Sequence, residues 1–432
     1  MLGGGSFTVQ NKILPGAYIN FVSAASSVAV LSDRGTAAIP LEFGWGPEKE
    51  AFIVTAQDYQ ERCQEIFGYP ADAPQMWQVR ELFRNLTKGI FYRLNGGVKA
   101  ACDYGQAKYS GVRGKDLMLV ISANVDDSTK FDVKTMLDKK EVDRQTVAAA
   151  SELKDNLYVV FKKDATLAAT AGIPFTGGTN GEAVNGEDYA QFLARMESYT
   201  FQTLCCPSMD DAVKAVFTEY TRRMRDEAGV KFQTVMYRMA DADYEGIISV
   251  ENKAAELEQG LVYWTCGVQA ACAVNKTNEN RVYDGELTVD VDYTQEQLAR
   301  AVRSGKFMFH RVGDDVRVLM DINTLVTFTE EKKEDFSNNQ TVRVLDQIGN
   351  DIASMFNTKY LGIMPNDDAG RVSLWNDIVT YNKELARLRA IEDVESKEIT
   401  VERGNSKRSV VVNCPVTPIN CMSQLYMTVV VS

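Results

Sequence analysis

The residues able to do chemistry are few, and their spacing is wrong for each familiar use. The chain carries one histidine, His310, on the alternating segment Phe307-Met308-Phe309-His310-Arg311. One imidazole cannot supply a two-histidine metal site or an HExxH protease helix. A Ser-His-Asp relay would have to use it, and no GxSxG elbow presents a serine. Ser6, after Gly3–Gly5, lies on an expected arm, a poor place for a preorganised nucleophile. His310 therefore reads as a half-buried strand histidine. Gly111-Val112-Arg113-Gly114-Lys115-Asp116 contains a Gly-Lys pair, but the P-loop spacing is missing and Asp116 stands where Ser or Thr would hold magnesium. A hairpin turn is expected there. Gly44-Trp45-Gly46-Pro47 lacks the third glycine of a dinucleotide fingerprint, and Pro47 removes a backbone donor.

The carboxylates follow the same logic. Asp241-Ala242-Asp243-Tyr244-Glu245-Gly246 imitates the opening of an EF-hand loop, yet its twelfth position is Asn252 and Glu251 falls one residue early. An acidic loop is the expectation. Asp290/Asp292 and Asp126/Asp127 sit in polar surroundings that would leave them solvated. The 8 cysteines include the adjacent pair Cys205-Cys206 but no CxxC, which points to reduced, mostly buried thiols. Lys383 and Arg387 lie one helical turn apart, opposite Tyr381 and Leu385, as a solvated face or a docking patch for an acidic partner. No catalytic, cofactor or metal site is expected.

The elements that would have to position such residues are well marked. Hydrophobic content of 45% and charged content of 25% are those of a globular protein. A net charge of -12 opposes direct binding to nucleic acid or anionic membrane. No apolar run reaches the roughly 18–20 residues needed for a membrane span, and the first residues carry no secretory signal pattern. Residues 1–20 read as an arm with a short extended piece, Phe7-Thr8-Val9, and Ala17–Phe21 alternates like a strand. Residues 96–178 carry short β-rich segments such as Leu117–Ser122 and Leu157–Phe161, closing on the glycine-rich connector Phe175–Gly181. Helix and strand then alternate: helices near 188–199 and 210–228, strands near 201–204, 232–236 and 247–250. Gly260–Val274 is small and apolar throughout, as in a buried helix. Two long helices follow, with Leu345, Ile348, Ile352, Met355 and Phe356 on the first and Leu374, Ile378, Tyr381, Leu385, Leu388 and Ile391 on the second.

The expected fold class is a multidomain α/β and α+β protein with an inserted β-sandwich and extended arms at both ends. Its divisions are a 1–20 arm, an α/β domain of 21–95 with 179–305, a β-sandwich of 96–178, an α+β core of 306–420 and an arm strand of 421–432. That last piece includes Leu425-Tyr426-Met427-Thr428-Val429-Val430-Val431, apolar on nearly every position. Such a strand needs cover on both faces and a neighbour along each edge, and a second copy of the chain is one candidate.

The last third resembles contractile tail sheath proteins of myophages and phage-tail-like particles. The resemblance rests on Val318-Leu319-Met320-Asp321-Ile322-Asn323-Thr324-Leu325, Val342-Arg343-Val344-Leu345-Asp346-Gln347-Ile348 with Asp351-Ile352, Tyr360–Ile363 with Asn366, and Val416–Asn420. Its specific signal is an Ile-Asn-Thr-Leu strand followed at fixed spacing by an Arg-Val-x-Asp-x-Ile helix. At the front, Leu14–Asn20, Arg34-Gly35, Trp45-Gly46-Pro47 and the Phe175–Gly181 connector are also similar, while Asn275-Lys276-Thr277 departs from the family's Ser-x-Thr. The resemblance implies a structural, non-enzymatic subunit without cofactor, assembled in the bacterial host cytoplasm into a virion tail or tail-like particle. Its partners would be further copies in a helical polymer, a tail tube protein, and baseplate and tail terminator proteins, with no direct nucleic-acid contact and no membrane insertion. Phe7, Val9, Leu425, Met427, Val429 and Val431 would lie on exchanged strands, and Lys383 and Arg387 are candidates for facing the tube. A tube or baseplate component, or an α/β enzyme of unrecognised type, are the alternative readings.

Overall fold

The structure, a computed structural model, describes residues 31–239 and 241–431. The expected arm residues Phe7 and Val9 and the Ala17–Phe21 alternation lie outside the described residues. Two compact units emerge. The larger comprises Asp33–Asn350, Leu388–Glu392 and the residues from Thr417 on; the smaller includes Asp351–Arg387 and Asp393–Val416.

The larger unit begins with β1 (Thr36–Leu41) and β2 (Ala51–Thr55), then α1 (Ala56–Phe67), α2 (Trp77–Phe83) and β3 (Lys88–Arg93). Thr55 starts α1 through a capping box with Asp58, and Gly68, at φ 80°, ends it against Trp45, whose ring leaves no room for a Cβ. An inserted β-sandwich follows. Its three-stranded sheet is β4 (Ala101–Cys102), β5 (Gly105–Ala107) and β9 (Val159–Phe161). Its four-stranded sheet runs β10 (Thr170–Pro174), β6 (Leu117–Ala123), β7 (Phe131–Leu137), β8 (Lys140–Val147). Leu119, Ile121, Val133, Leu137, Val159 and Phe161 fill the space between them. At the root, the strand entering the sandwich and the one leaving it cross so closely that a Cβ on Gly97 would meet the Thr179 carbonyl at 2.2 Å.

After the insertion come α3 (Gly186–Met196), β11 (Thr203–Cys206), α4 (Asp211–Arg222), β12 (Gln233–Tyr237), β13 (Ile247–Val250), α5 (Leu261–Ala271), α6 (Gln295–Arg303), β14 (Lys306–Phe307), β15 (Phe309–Val312) and β16 (Asp315–Val318). One sheet of order β14-β13-β12-β11-β1-β3-β2 organises the unit, parallel throughout except for β2 against β3. Its central strands are buried at every position, as a parallel sheet covered on both faces requires. Ile39, Val235 and Ile248 face α2 and α5, whereas Ala38, Leu204 and Met236 face α3 and α4. Cys205 and Cys206 are buried on opposite faces of the same strand, so their thiols point apart. The fold class expected from the sequence is the one found: mixed α/β with an inserted β-sandwich.

α7 (Asn339–Lys359) starts in the larger unit. The smaller unit holds its second half together with α8 (Asp368–Arg387) and a hairpin of β17 (Thr400–Arg403) and β18 (Val410–Asn413). Leu374, Ile378, Tyr381 and Leu385 form the buried face of α8. Tyr381 donates to Asp351 at 2.8 Å, and the Trp375 indole N–H donates to the Ile399 carbonyl at 2.8 Å, fixing the approach to the hairpin.

Three local expectations are corrected. Val112–Asp116 is a 3-10 turn, not a hairpin turn. Its Arg113 is buried, donates to the Gly68 carbonyl at 2.7 Å and grips Asp138 with both terminal nitrogens, which pulls the turn inward. Ile322–Leu325 is not a strand: Ile322 bridges Asn338, the Thr324 N–H donates to the Ile247 carbonyl, and the Leu325 N–H to Asn323 Oδ1. Its backbone groups are satisfied one at a time by different neighbours, so no ladder forms. Leu425–Val431 is also not a strand within this chain, as described next.

Candidate interaction surfaces

Two features of the chain are built as if for contact with something else. Residues 421–431 form no regular element and make no ladder with any described residue. Leu425 is 85% exposed and Val431 90%, and Met427 and Val429 are also largely uncovered. An apolar run of strand-forming residues with no ladder partner among the described residues is a strand without a sheet. In the smaller unit, β17 and β18 pair with each other, from Thr400 opposite Asn413 to Arg403 opposite Val410. Among the described residues no further strand joins either edge of this hairpin, and Val411 and Val412 are exposed on it. Two-stranded sheets are marginal alone and gain from added strands.

Lys383 and Arg387 are exposed on α8, opposite the buried Tyr381 and Leu385. Arg387 holds Glu384 through two bonds of 2.6 and 2.8 Å, so much of its charge is already matched, and Lys383 is the freer cation.

The larger unit holds a largely buried polar stripe that sequence reasoning missed. Asn339, Arg343, Asp346 and Asn350 fall at i, i+4, i+7 and i+11 on one face of α7. Arg343, fully buried, donates to Asp321 at 3.1 Å, to Gln269 at 2.7 Å and to the Lys276 carbonyl at 2.7 Å. Asn339 reaches Asp321 at 3.0 Å and the Ile322 carbonyl at 2.9 Å. Asp346 receives both terminal nitrogens of Arg225 at 2.6 and 2.8 Å, and Asn350 pairs with the backbone of Lys231. Burial works against the Asp321 charge, but Arg343 and donors from Asn278, Gln269 and Asn339 outweigh it and hold the carboxyl below its ordinary value. The stripe fixes the register of α7 on the larger unit, because these polar groups meet their partners in this register and a slip would bury them unpaired.

The residues with chemical potential are placed structurally. His310 stands on β15 opposite Arg317, and partial burial together with that neighbour lowers its pKa. Asp243 accepts from the Val326 and Thr327 N–H groups. Asn252, at the place of the missing calcium ligand, is buried and ties the Asp290 and Phe309 backbones together. No described group of three His, Cys, Asp or Glu side chains could hold a metal, and no described helix is long and apolar enough to cross a membrane.

Three family descriptions match in succession: the phage tail sheath β-sandwich domain over residues 95–180, the central domain over 182–324 and the C-terminal domain over 331–432. The phage-like element PBSX protein XkdK of Bacillus subtilis is 32% identical over 472 residues, covering 100% of both chains. A solved sheath tail protein from Desulfitobacterium hafniense superposes with a TM-score of 0.81 at 34% identity, over 94% of this chain and 98% of that one. The chain belongs to the phage tail sheath protein family. It is a subunit of a contractile tail sheath and a component of a tail or tail-like particle. The sheath fold extends further: the helical sheath of the anti-feeding prophage in its contracted state shares it at 12% identity with a TM-score of 0.58, over 97% of this chain and 99% of that one. In this frame the Asp321–Leu325 and Arg343–Asp351 motifs acquire a physical meaning. Asp321 from the first meets Arg343 from the second in the buried stripe that seats α7 in the sheath subunit.

Proposed function

We propose that this sheath subunit polymerises head to tail into a helical sleeve around a tail tube, held extended until a trigger lets it contract and drive the tube through a bacterial envelope. The observation that carries the reading is the uncovered run Leu425–Val431, for which no strand partner exists among the described residues. Heterologous contacts produce an open helix when the rotation between copies does not close into a ring. The run would add to the open edge of β17–β18 on a neighbouring copy, where a backbone ladder supplies strength and the flanking chain allows rotation. Phe7 and Val9 would do the same from the other end. The work of contraction comes from two packings of one subunit separated by a kinetic barrier, with no nucleotide consumed and no enzymatic step.

In this reading residues 1–20 and 421–432 are the connecting arms. The α/β domain of 21–95 with 179–305 forms the body, 96–178 projects from it, and 306–420 forms the inner layer. Lys383 and Arg387 face the tube protein, and baseplate and terminator proteins cap the sleeve. Assembly takes place in the host cytoplasm. Negative-stain microscopy of the purified chain tests this: hollow striated sleeves wider than a bare tail tube are expected. Thin tubes would assign the chain to the tube instead, and persistent monomers with hydrolytic activity would end the reading.

A further inference from the structure

The exposed run leaves the larger unit from a built anchor. Asn338 starts α7, accepting the Gln340 N–H at 2.8 Å. Two of the next three side chains, Gln340 and Thr341, are only 2% and 3% exposed, although both are polar. Their polar atoms are spent on one short stretch of chain. The Gln340 amide donates to the Ile419 carbonyl at 3.1 Å and accepts the Cys421 N–H at 3.0 Å, so it pairs with residues 419–421 as a neighbouring strand would. Thr341 and Asn420 exchange hydrogen bonds at 3.1 and 3.2 Å. On its other side this stretch is held by main chain: Ile419 N–H donates to the Ala390 carbonyl, Glu392 N–H to the Thr417 carbonyl, and Ile391 bridges Pro418. Beyond Cys421 the one hydrogen bond to the body among the described residues is between the exposed Ser423 hydroxyl and Glu279.

The anchor is itself stiff. Gln340 is flanked on the helix by Asn339 and Arg343, both committed to the buried carboxylate of Asp321. A side-chain amide held this way offers a pre-set template at no further ordering cost, the condition under which a tethered segment is presented most effectively.

We propose that the first turn of α7, through Gln340 and Thr341, is the anchor that fixes where the C-terminal arm leaves the sheath body, so that the segment handed to a neighbouring copy begins at Met422. The function of the anchor rests on the strand-exchange reading given above; its existence does not. Gln340 and Thr341 are positioning residues, since they touch the root of the arm and not its destination.

Hydrogen exchange on the full-length monomer, combined with assembly, tests this. In the unaltered chain the Cys421 amide is protected and the amides of 424–431 exchange freely. Gln340→Met keeps length and helix propensity but removes both bonds, and Cys421 should then exchange about tenfold faster while Thr234, in the sheet centre, is unchanged. Gln340→Glu keeps the acceptor and should retain most of that protection. Asn420→Ala loosens the root from the exposed side without touching the core, which covers the case in which a Gln340 variant fails to fold. Each loosening variant should raise the concentration needed for polymerisation severalfold, roughly in proportion to the disorder introduced. A Cys421 amide that exchanges as fast as those beyond it overturns the anchor. Loosened variants that polymerise like the unaltered chain overturn its role. If the unaltered chain never polymerises, the strand-exchange reading fails, and the exchange rates still decide whether the anchor exists.

Discussion

Removing everything from Met422 onward separates a donated strand from a structural one by a wide margin. Leu425, Tyr426, Met427, Val429, Val430 and Val431 are 71–90% exposed, so almost none of their apolar surface is withdrawn from water by their own chain. Had these six side chains been packed in the core, each would contribute about 1.5–3 kcal/mol, or roughly 9–18 kcal/mol together. That is comparable to or larger than the whole stability of a typical domain, about 5–15 kcal/mol. The exposed geometry instead predicts a change within about 0.5 kcal/mol and a Tm shift below about 2 °C. Calorimetry supplies the first reading and sedimentation velocity the second: the truncated chain should stay folded and monomeric at concentrations where the full chain forms fast-sedimenting polymer. A Tm drop of about 10 °C or more, or truncated protein that polymerises normally, would refute the reasoning.

Three further outcomes follow from the same geometry. Arg343→Met leaves Asp321 as an uncompensated buried charge and should cost about 3–5 kcal/mol in denaturant unfolding, with part recovered when Asp321→Asn is added. Because Asp321 is held below its ordinary value in the folded state, its contribution is present above the unfolded value of about 3.9 and is lost as pH falls through the folded one. The stability gap between the unaltered chain and Asp321→Asn should therefore be flat from about pH 5 to 8 and close in acid; a gap that widens in acid contradicts the assignment. Lys383→Gln with Arg387→Gln should change stability by less than about 1 kcal/mol, since both are exposed near a helix end, yet weaken co-assembly with the tube protein in a pull-down.

Much of this was readable in the sequence where a pattern reports directly on burial. The i+3/i+4 apolar residues of α7 and α8, the small apolar run of α5 and the β-rich stretch between Gly97 and Gly178 each appear as elements of the expected type. What escaped was polar and buried. Asn339, Arg343, Asp346 and Asn350 look like a solvated face until Asp321, Gln269 and Arg225 are brought to them by distant parts of the chain. The short helix α6 escaped too, although Thr294-x-x-Gln297 is a capping box in plain view. β3 was hidden because Lys88-Gly89 begins it, two residues poorly suited to strands. The run 425–431 was legible as a strand former in need of a neighbour, and among the described residues it has none. Periodicity reports what a segment wants, not which partner satisfies it.

The most direct test is a helical reconstruction of sleeves assembled from the full-length chain, at a resolution that traces main chain. Leu425–Val431 is expected to leave its own body at Cys421 and to add as a strand to the β17–β18 hairpin of an adjacent copy. Density that returns this run to a sheet of its own chain, or sleeves whose copies touch only through side chains, would contradict it.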